Sequence, residues 1–587
     1  MKTMMRFLCA FACIVVFASN VRANAAENDF KQIEYFGSQV KFNGSASYSV
    51  RFVGTVDDIM TECTKLGFDI VWTWTEKNGA TGSETIELET DTVYTSVYGK
   101  GDYGQEQYTK DDLDNGHEYF YVASPSSKIY IDRYEFSNFE ITPYAISADG
   151  QKVSYDKKSV LYHDGKVSDG TVTPKSEQIY NEFGIALNTF PELHSLSNFN
   201  PTLNEYQSVK AYWFDGMDRN GQKTKVFAYV GFPEGASESS QVPAVVLLHG
   251  GGGHAYLPWV KMWNDRGYAA IAIDHTGYFP TSRNAGLTET CTRWSHGLPD
   301  KLKEIGYVSA PNKDDMSASA LNVQDMWMYH AVGQSILAGN ILRADSRVDS
   351  DSVGICGISW GGVITSLTVG YDTRFAFAVP IYGSGYLDES LGWMSDRFAD
   401  AETQELWLSQ DRFENVDMPV LWLCWNDDSP FSINSNTKSY IDTVKNNPNT
   451  RIAMIDHMYH SHTDAWNRAE AIAFADSVVM DGEKLTGFVE QPTGTDVNVE
   501  LDISPSVSSV SAKLYYITSP MTYSNQDKFG KGNNVYMTQT WQTKLLNISD
   551  GRISDTLPTE AKGYYIEITS VIGGIQYVTT STFVTVG

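Results

Sequence analysis

A serine set between two glycines, a run of four glycines behind a histidine, a doubled aspartate and a cluster of three histidines are the residues here that could do chemistry. The serine stands in Gly357-Ile-Ser359-Trp360-Gly361, after the apolar run 353–358 and before the helix-like run 363–369. A strand that turns sharply into a helix lifts a hydroxyl clear of the sheet, and glycines on either side let strand and helix come close around it. The start of the following helix adds a positive field where an oxyanion would form. Upstream, the apolar run 243–248 ends in His249-Gly250-Gly251-Gly252-Gly253. Backbone amides reach a ligand only where no side chain blocks them, so a glycine run after a buried strand suits an oxyanion loop. Together these residues are equipped for nucleophilic acyl transfer.

Such a serine needs a base and an acid, and a triad in the order Ser, Asp, His requires both downstream at strand ends. Two apolar runs meet that requirement. Residues 419–425 end in Asn426-Asp427-Asp428, and 451–455 lead into Asp456-His457-Met458-Tyr459-His460-Ser461-His462. Either aspartate can supply the acid. His457 is almost still in its strand, where alternation would fix its direction before the loop can turn. The histidine cluster has no group of further ligands nearby, so neither a metal nor another cofactor is expected.

The elements that must position these residues follow from pattern. Residues 26–175 are rich in Tyr, Thr, Ser and Val in short runs separated by turn material such as Ala148-Asp-Gly, the signature of an N-terminal β-sandwich. Helical periodicity occurs there only near 56–66. Over 176–487, apolar runs of strand length alternate with helix-like stretches, which predicts an α/β domain with a mostly parallel, doubly wound sheet. After the linker-like Gln491-Pro-Thr-Gly-Thr, short strands return, and 488–587 reads as a second β-sandwich. The first 25 residues carry Lys2 and Arg6, an apolar run from Phe7 to Ala18 and a small-residue site at Ala23-Asn-Ala25, which predicts a cleaved signal and a secreted, periplasmic or cell-surface protein. Asn43 and Asn547 stand in glycosylation sequons that would matter in a eukaryotic secretory host.

The net charge of −28 excludes a nucleic-acid partner on electrostatic grounds and disfavours anionic membranes. A neutral polymer or a small ester remains compatible. No segment after the leader approaches a membrane span. Cys63, Cys291, Cys356 and Cys424 are widely spaced, without a CxxC pair, and Cys356 and Cys424 lie in apolar strands as buried thiols.

The stretches from Trp327-Met-Tyr-His through Gly357-Ile-Ser-Trp-Gly-Gly, Val379-Pro-Ile-Tyr-Gly, Pro419-Val-Leu-Trp and Met458-Tyr-His-Ser-His resemble secreted acetylxylan-esterase and dienelactone-hydrolase-like proteins. These belong with the wider relatives of prolyl-oligopeptidase catalytic domains. The resemblance covers about residues 200–587, and it implies an α/β-hydrolase domain, flanked here by the two sandwiches. It implies a serine esterase acting on acyl esters, often acetyl groups on plant polysaccharide, so that a carbohydrate ester is the expected partner. Aligning Pro419-Val-Leu-Trp places Asp428 at the acid, with Asp427 as its alternate. The Met-x-His-x-His register leaves His460 and His462, and the position after Met-x, His460, bears the base in the related hydrolases. Trp360, Gly251 and Gly252 are the expected oxyanion donors. A secreted serine peptidase of the prolyl-oligopeptidase type and a non-catalytic glycan-binding protein are the other readings. The first 175 residues show no repeat of propeller length.

Overall fold

In a computed structural model, the described residues are 33–586 except 43–46, 57–62, 77–79, 94–104, 107–117, 124–128, 131–133, 164–165, 169–174, 220, 289–292, 297–308, 312, 319–320, 391–392 and 520–539. The predicted signal segment, Asn43 and Cys291 lie outside them. The chain divides into two compact units, 1–171 and 172–587.

The first unit is built from two antiparallel sheets. Strands Glu34–Phe42, Ser47–Val56 and Glu118–Ala123 are adjacent in one; Lys158–His163, Tyr134–Ser147, Cys63–Glu76 and Thr81–Thr90 follow one another in the other. Phe52 and Phe120 from the first sheet share a core with Phe68, Ile70, Trp72, Phe139 and Ile141 from the second. Phe68 stacks on Phe120 at 4.9 Å between ring centroids. Thr81–Thr90 alternates exposed and half-buried residues, as a strand with one wet face should. The helical periodicity near 56–66 is not realised at its described ends. Val56 closes one strand and Cys63–Leu66 opens the next, because Leu66 pairs with Thr90 and Ala145 in the sheet, and tertiary pairing outweighs local pattern.

The second unit holds a nine-stranded sheet. In chain order its strands are β1 His194–Ser195, β2 Val209–Arg219, β3 Gln222–Gly231, β4 Val242–Leu248, β5 Ala269–Ile273, β6 Val348–Ile358, β7 Ala378–Ile381, β8 Leu421–Trp425 and β9 Arg451–Ile455. They lie in the order β1-β2-β3-β5-β4-β6-β7-β8-β9, antiparallel from β1 to β5 and parallel from β5 onward. The parallel strands are continuous apolar runs because both faces are covered. Among the described residues the helices are α1 Lys175–Leu187, α2 Leu257–Asp265, α3 Trp327–Ala344, α4 Trp360–Tyr371, α5 Trp393–Arg397, α6 Ala401–Trp407, α7 Ile433–Val444, α8 His462–Trp466 and α9 Ala469–Val479. α3 and α4 pack on each other and on β6, and both are apolar nearly all round and buried along most of their length. No helix among the described residues is long and apolar enough to cross a membrane. Cys63, Cys356 and Cys424 are buried, and no disulfide joins any two of them. Burial pushes the Cys356 thiol up.

The C-terminal strands form two further sheets around a core of Val499, Leu501, Leu514, Leu546, Tyr564, Ile566 and Ile568. Sequence pattern marks 488–587 as a domain of its own, yet these residues fall in the same compact unit as the nine-stranded sheet. Alternation along Gly563–Ile572 explains the difference. Tyr564, Ile566 and Ile568 fill the sandwich, whereas Tyr565, with Ile517, Tyr577 and Phe583, joins the core of the hydrolase sheet. Thr580 Oγ1 accepts the Met454 N–H at 3.2 Å, tying that layer to β9. A chain ending at residue 487 leaves this apolar face bare, so it should melt without a cooperative transition and be cleaved readily by protease, whereas the full chain should not.

Candidate active site

Every group named from the sequence lies just past the C-terminal edge of the parallel strands. Leu248 pairs with Ile273 and Gly357, Ile358 with Ile381, and Trp425 with Ile455. The residues that follow are therefore brought to one rim, where ligands of open α/β sheets bind.

Ser359 sits between β6 and α4 at φ +58° and ψ −119°, a region a non-glycine residue enters at a cost of about 1–3 kcal/mol. Its N–H donates to Ile381 O at 2.7 Å. The flanking glycines are required by contact: a Cβ at Gly357 would stand 2.0 Å from Gly361 O, and one at Gly361 would stand 2.1 Å from Leu248 O. The Trp360 amide opens α4, so it has no acceptor four residues back and is free to face an anion.

His460 lies on the loop after β9. Its Nδ1 is 2.6 Å from Asp428 Oδ2, and its Nε2 is 2.8 Å from Ser359 Oγ. A carboxylate only accepts, so Nδ1 carries the proton and Nε2 accepts from the serine hydroxyl. The ring is stacked between Tyr382, at 4.5 Å, and Phe431, at 5.7 Å. The Tyr382 hydroxyl in turn donates to Tyr459 O, holding the loop just before the histidine. Asp428 is fully buried.

The other candidates go elsewhere. Trp541 Nε1 donates to Asp427 Oδ1 at 2.8 Å, and Asn426 Nδ2 donates to Tyr565 OH at 3.0 Å. The acid loop is thus fastened from behind by the C-terminal strands, and the two aspartates are pulled to opposite sides. His457 is exposed, with Nε2 3.5 Å from Asp456 Oδ2. His462 accepts the Gly250 N–H at 2.9 Å, on the glycine loop. Gly251 lies flat against the Trp360 indole, where an added Cβ would be 2.2 Å from Cδ1. Phe431, Tyr565 and Trp541 carry no motif, and nothing in the sequence marks them, whereas Tyr382 stands within Val379-Pro-Ile-Tyr-Gly without any sign there of its contact with the histidine.

Behind the glycine loop lies a buried polar group in which His249, at the head of the loop, meets Asp274 and His275, which no sequence motif marks. His249 and His275 stack at 4.1 Å, and His249 Nε2 is 3.7 Å from Asp274 Oδ2. Burial drives His249 well below its ordinary value and His275 to about 4, so both rings are neutral. Burial lifts the Asp274 carboxyl to about 7, although the Thr276 and Tyr278 amides and the Thr276 hydroxyl donate to it.

Fold and site together define an α/β-hydrolase with a serine–histidine–aspartate chain, a serine hydrolase. Residues 226–479 match the dienelactone hydrolase family, and the second unit carries a domain of that family. The chain is 26% identical over 264 residues to a probable dipeptidyl-peptidase 5 of Emericella nidulans, covering 44% of this chain and 29% of the relative. It is 22% identical over 261 residues to dipeptidyl-peptidase 5 of Aspergillus oryzae, covering 43% and 30%. The chain spans less than a third of the length of these curated relatives. Among solved structures it is similar to an acetyl xylan esterase from Paenibacillus sp. R4, with 16% identity, TM-score 0.37, and coverage of 52% of this chain and 96% of that one. A puromycin-hydrolyzing peptidase of Mycobacterium tuberculosis gives 16% identity, TM-score 0.33, and coverage of 58% and 46%.

Replacing Ser359 or His460 by Ala should each lower kcat on a small ester by about 10⁴-fold or more, whereas Asp427→Asn should cost less than about tenfold. Steady-state kinetics on purified variants with unchanged circular dichroism checks this. A carboxyl with a raised folded pKa contributes stability that is full below its unfolded value and lost as pH rises through the folded one. For Asp274 the window is pH 4 to 7. The melting temperature of Asp274→Asn should therefore rise relative to wild type across that range, by an amount equivalent to a few kcal/mol.

Proposed function

We propose that this protein is a serine esterase that removes acyl groups, above all acetyl, from a neutral polysaccharide, and that it acts after export. The reading rests on one observation: Ser359 Oγ, His460 and Asp428 form a continuous hydrogen-bonded chain at the rim of the sheet. In the first step His460 Nε2 takes the hydroxyl proton as Ser359 attacks the ester carbonyl. Asp428 holds the imidazole in the required tautomer and stabilises the cation that forms. The amides of Trp360 and of the glycine loop at Gly251 and Gly252 receive the oxyanion, each donor contributing about 3 kcal/mol to the barrier reduction. His460 then returns its proton to the leaving alcohol. Water, activated by the same base, hydrolyses the acyl-enzyme.

The substrate class draws support from three features. The motifs from Trp327 to His462 resemble acetylxylan esterases. The charge of −28 suits a neutral polymer better than an anionic one. Trp393 is 38% exposed, unlike the other described tryptophans, and its ring lies 5.9 Å from that of Trp360, the residue after the nucleophile. Exposed indole beside a reacting centre suits the apolar face of a sugar ring. A second reading, a peptidase, is favoured by the names of the curated relatives.

Acetate release from acetylated xylan, measured beside cleavage of aminoacyl-peptide substrates, separates the two. Acetate without peptide cleavage is the expected outcome; peptide cleavage without acetate reverses the choice. On the glycan, Trp393→Ala should raise KM by about three- to tenfold, and it should leave kcat/KM for p-nitrophenyl acetate within about twofold of wild type.

A further inference from the structure

A loop of four consecutive glycines has no side chains to hold its shape and has the most backbone freedom to lose on ordering. Its geometry must be imposed from outside. On one side Gly251 lies against the Trp360 indole. On the other, the Gly250 N–H donates to His462 Nε2 at 2.9 Å. A Cβ at Gly250 would be 2.9 Å from that nitrogen and 3.2 Å from Ser359 Cβ, so the contact is made beside the nucleophile. A Cβ at Gly253 would be 2.6 Å from the same nitrogen. The imidazole therefore touches both ends of the loop, which is closed by Gly253 N–H donating to Gly250 O at 2.8 Å.

We propose that His462 is a positioning residue for acyl transfer: by accepting the Gly250 amide it holds the glycine loop so that the Gly251 amide, opposite Trp360, faces the oxyanion. The proposal rests on the acyl-transfer reading of Ser359. It has two consequences. The Gly250 N–H is committed to the protein and is not an oxyanion donor. And the accepting Nε2 bears no proton, so the ring acts as a neutral hydrogen-bond acceptor and not as a second base.

The placement of His462 follows from the same short segment that delivers His460. The Ser461 hydroxyl accepts the Asp464 N–H at 3.0 Å and caps α8, which fixes the backbone between the two histidines. Tyr256, at 5.0 Å, and Trp466, at 6.4 Å, pack against the His462 ring. One capped turn therefore holds the base against the nucleophile and the clamp against the oxyanion loop, and a shift of either carries the other with it.

His462→Phe keeps a ring for Tyr256 and Trp466 to pack on and removes the acceptor; His462→Gln keeps an acceptor at comparable reach. On p-nitrophenyl acetate, His462→Phe should lose about ten- to a hundredfold in kcat with KM within about twofold, and His462→Gln should stay within about fivefold of wild type. Affinity for a boronic acid, which forms a tetrahedral adduct on the serine, should fall in parallel with kcat. Unchanged kcat in His462→Phe, a loss confined to KM, or equal loss in both variants overturns the proposal. Amide hydrogen exchange over residues 249–254 gives an answer independent of turnover. Protection should fall in His462→Phe and persist in His462→Gln, and equal protection in both overturns the clamp even if the wild-type enzyme hydrolyses no small ester. Absence of ester hydrolysis by the wild type, with exchange behaving as expected, would instead fault the acyl-transfer reading.

Discussion

The site depends on one strained backbone turn. Ser359 occupies a positive φ that its side chain disfavours, and it stays there because strand, helix and neighbouring strand close on it from three directions. Gly357 touches the carbonyl of Gly361, Gly361 touches that of Leu248, and Ile381 accepts the serine's own N–H. With no Cβ on either glycine, β6 and α4 approach to within backbone contact. The helix then opens directly at the nucleophile and points its unsatisfied amides toward the hydroxyl. Each later feature of the rim is arranged around that fixed point.

The acid and the base reach it on loops, and loops need external support. Asp428 and His460 leave adjacent strands, β8 and β9, whose pairing of Trp425 with Ile455 sets both loops at the same height. Support then comes from places remote in sequence. Tyr382, following β7, and Phe431 clasp the imidazole. Tyr565 and Trp541, more than a hundred residues downstream, hold Asn426 and Asp427. The C-terminal strands are thus part of the wall behind the acid loop, through the face of their sheet that does not fill the sandwich.

Burial is used in two ways around the rim. Asp428 is buried but hydrogen-bonded to His460, an interaction that holds the imidazole in one tautomer. The group of His249, His275 and Asp274 is buried as well, but its histidine–carboxylate contact is longer, 3.7 Å against 2.6 Å. There, desolvation keeps both imidazoles neutral and lifts the carboxyl. The two neutral imidazoles add no positive charge beneath the glycine loop.

The sequence by itself determined the chemistry and its order. Gly-x-Ser-x-Gly between a buried strand and an apolar helix, a glycine run after an earlier strand, and acid and histidine after later strands are local patterns, legible because each is set by contacts within a few residues. The alternation of apolar runs and helical stretches likewise announced the parallel sheet. Tertiary structure decided what local pattern could not. Asp427 and Asp428 are chemically identical neighbours, and only Trp541 on one side and His460 on the other separate them. His460 and His462 are two residues apart, and which one meets Ser359 depends on the turn imposed by the cap at Ser461 and by Tyr382. The C-terminal strands read as a β-sandwich, but alternation reveals only that a strand has two faces, not what each face packs against. In each case a contact between residues far apart in the chain takes part in the decision, and no local pattern carries that information.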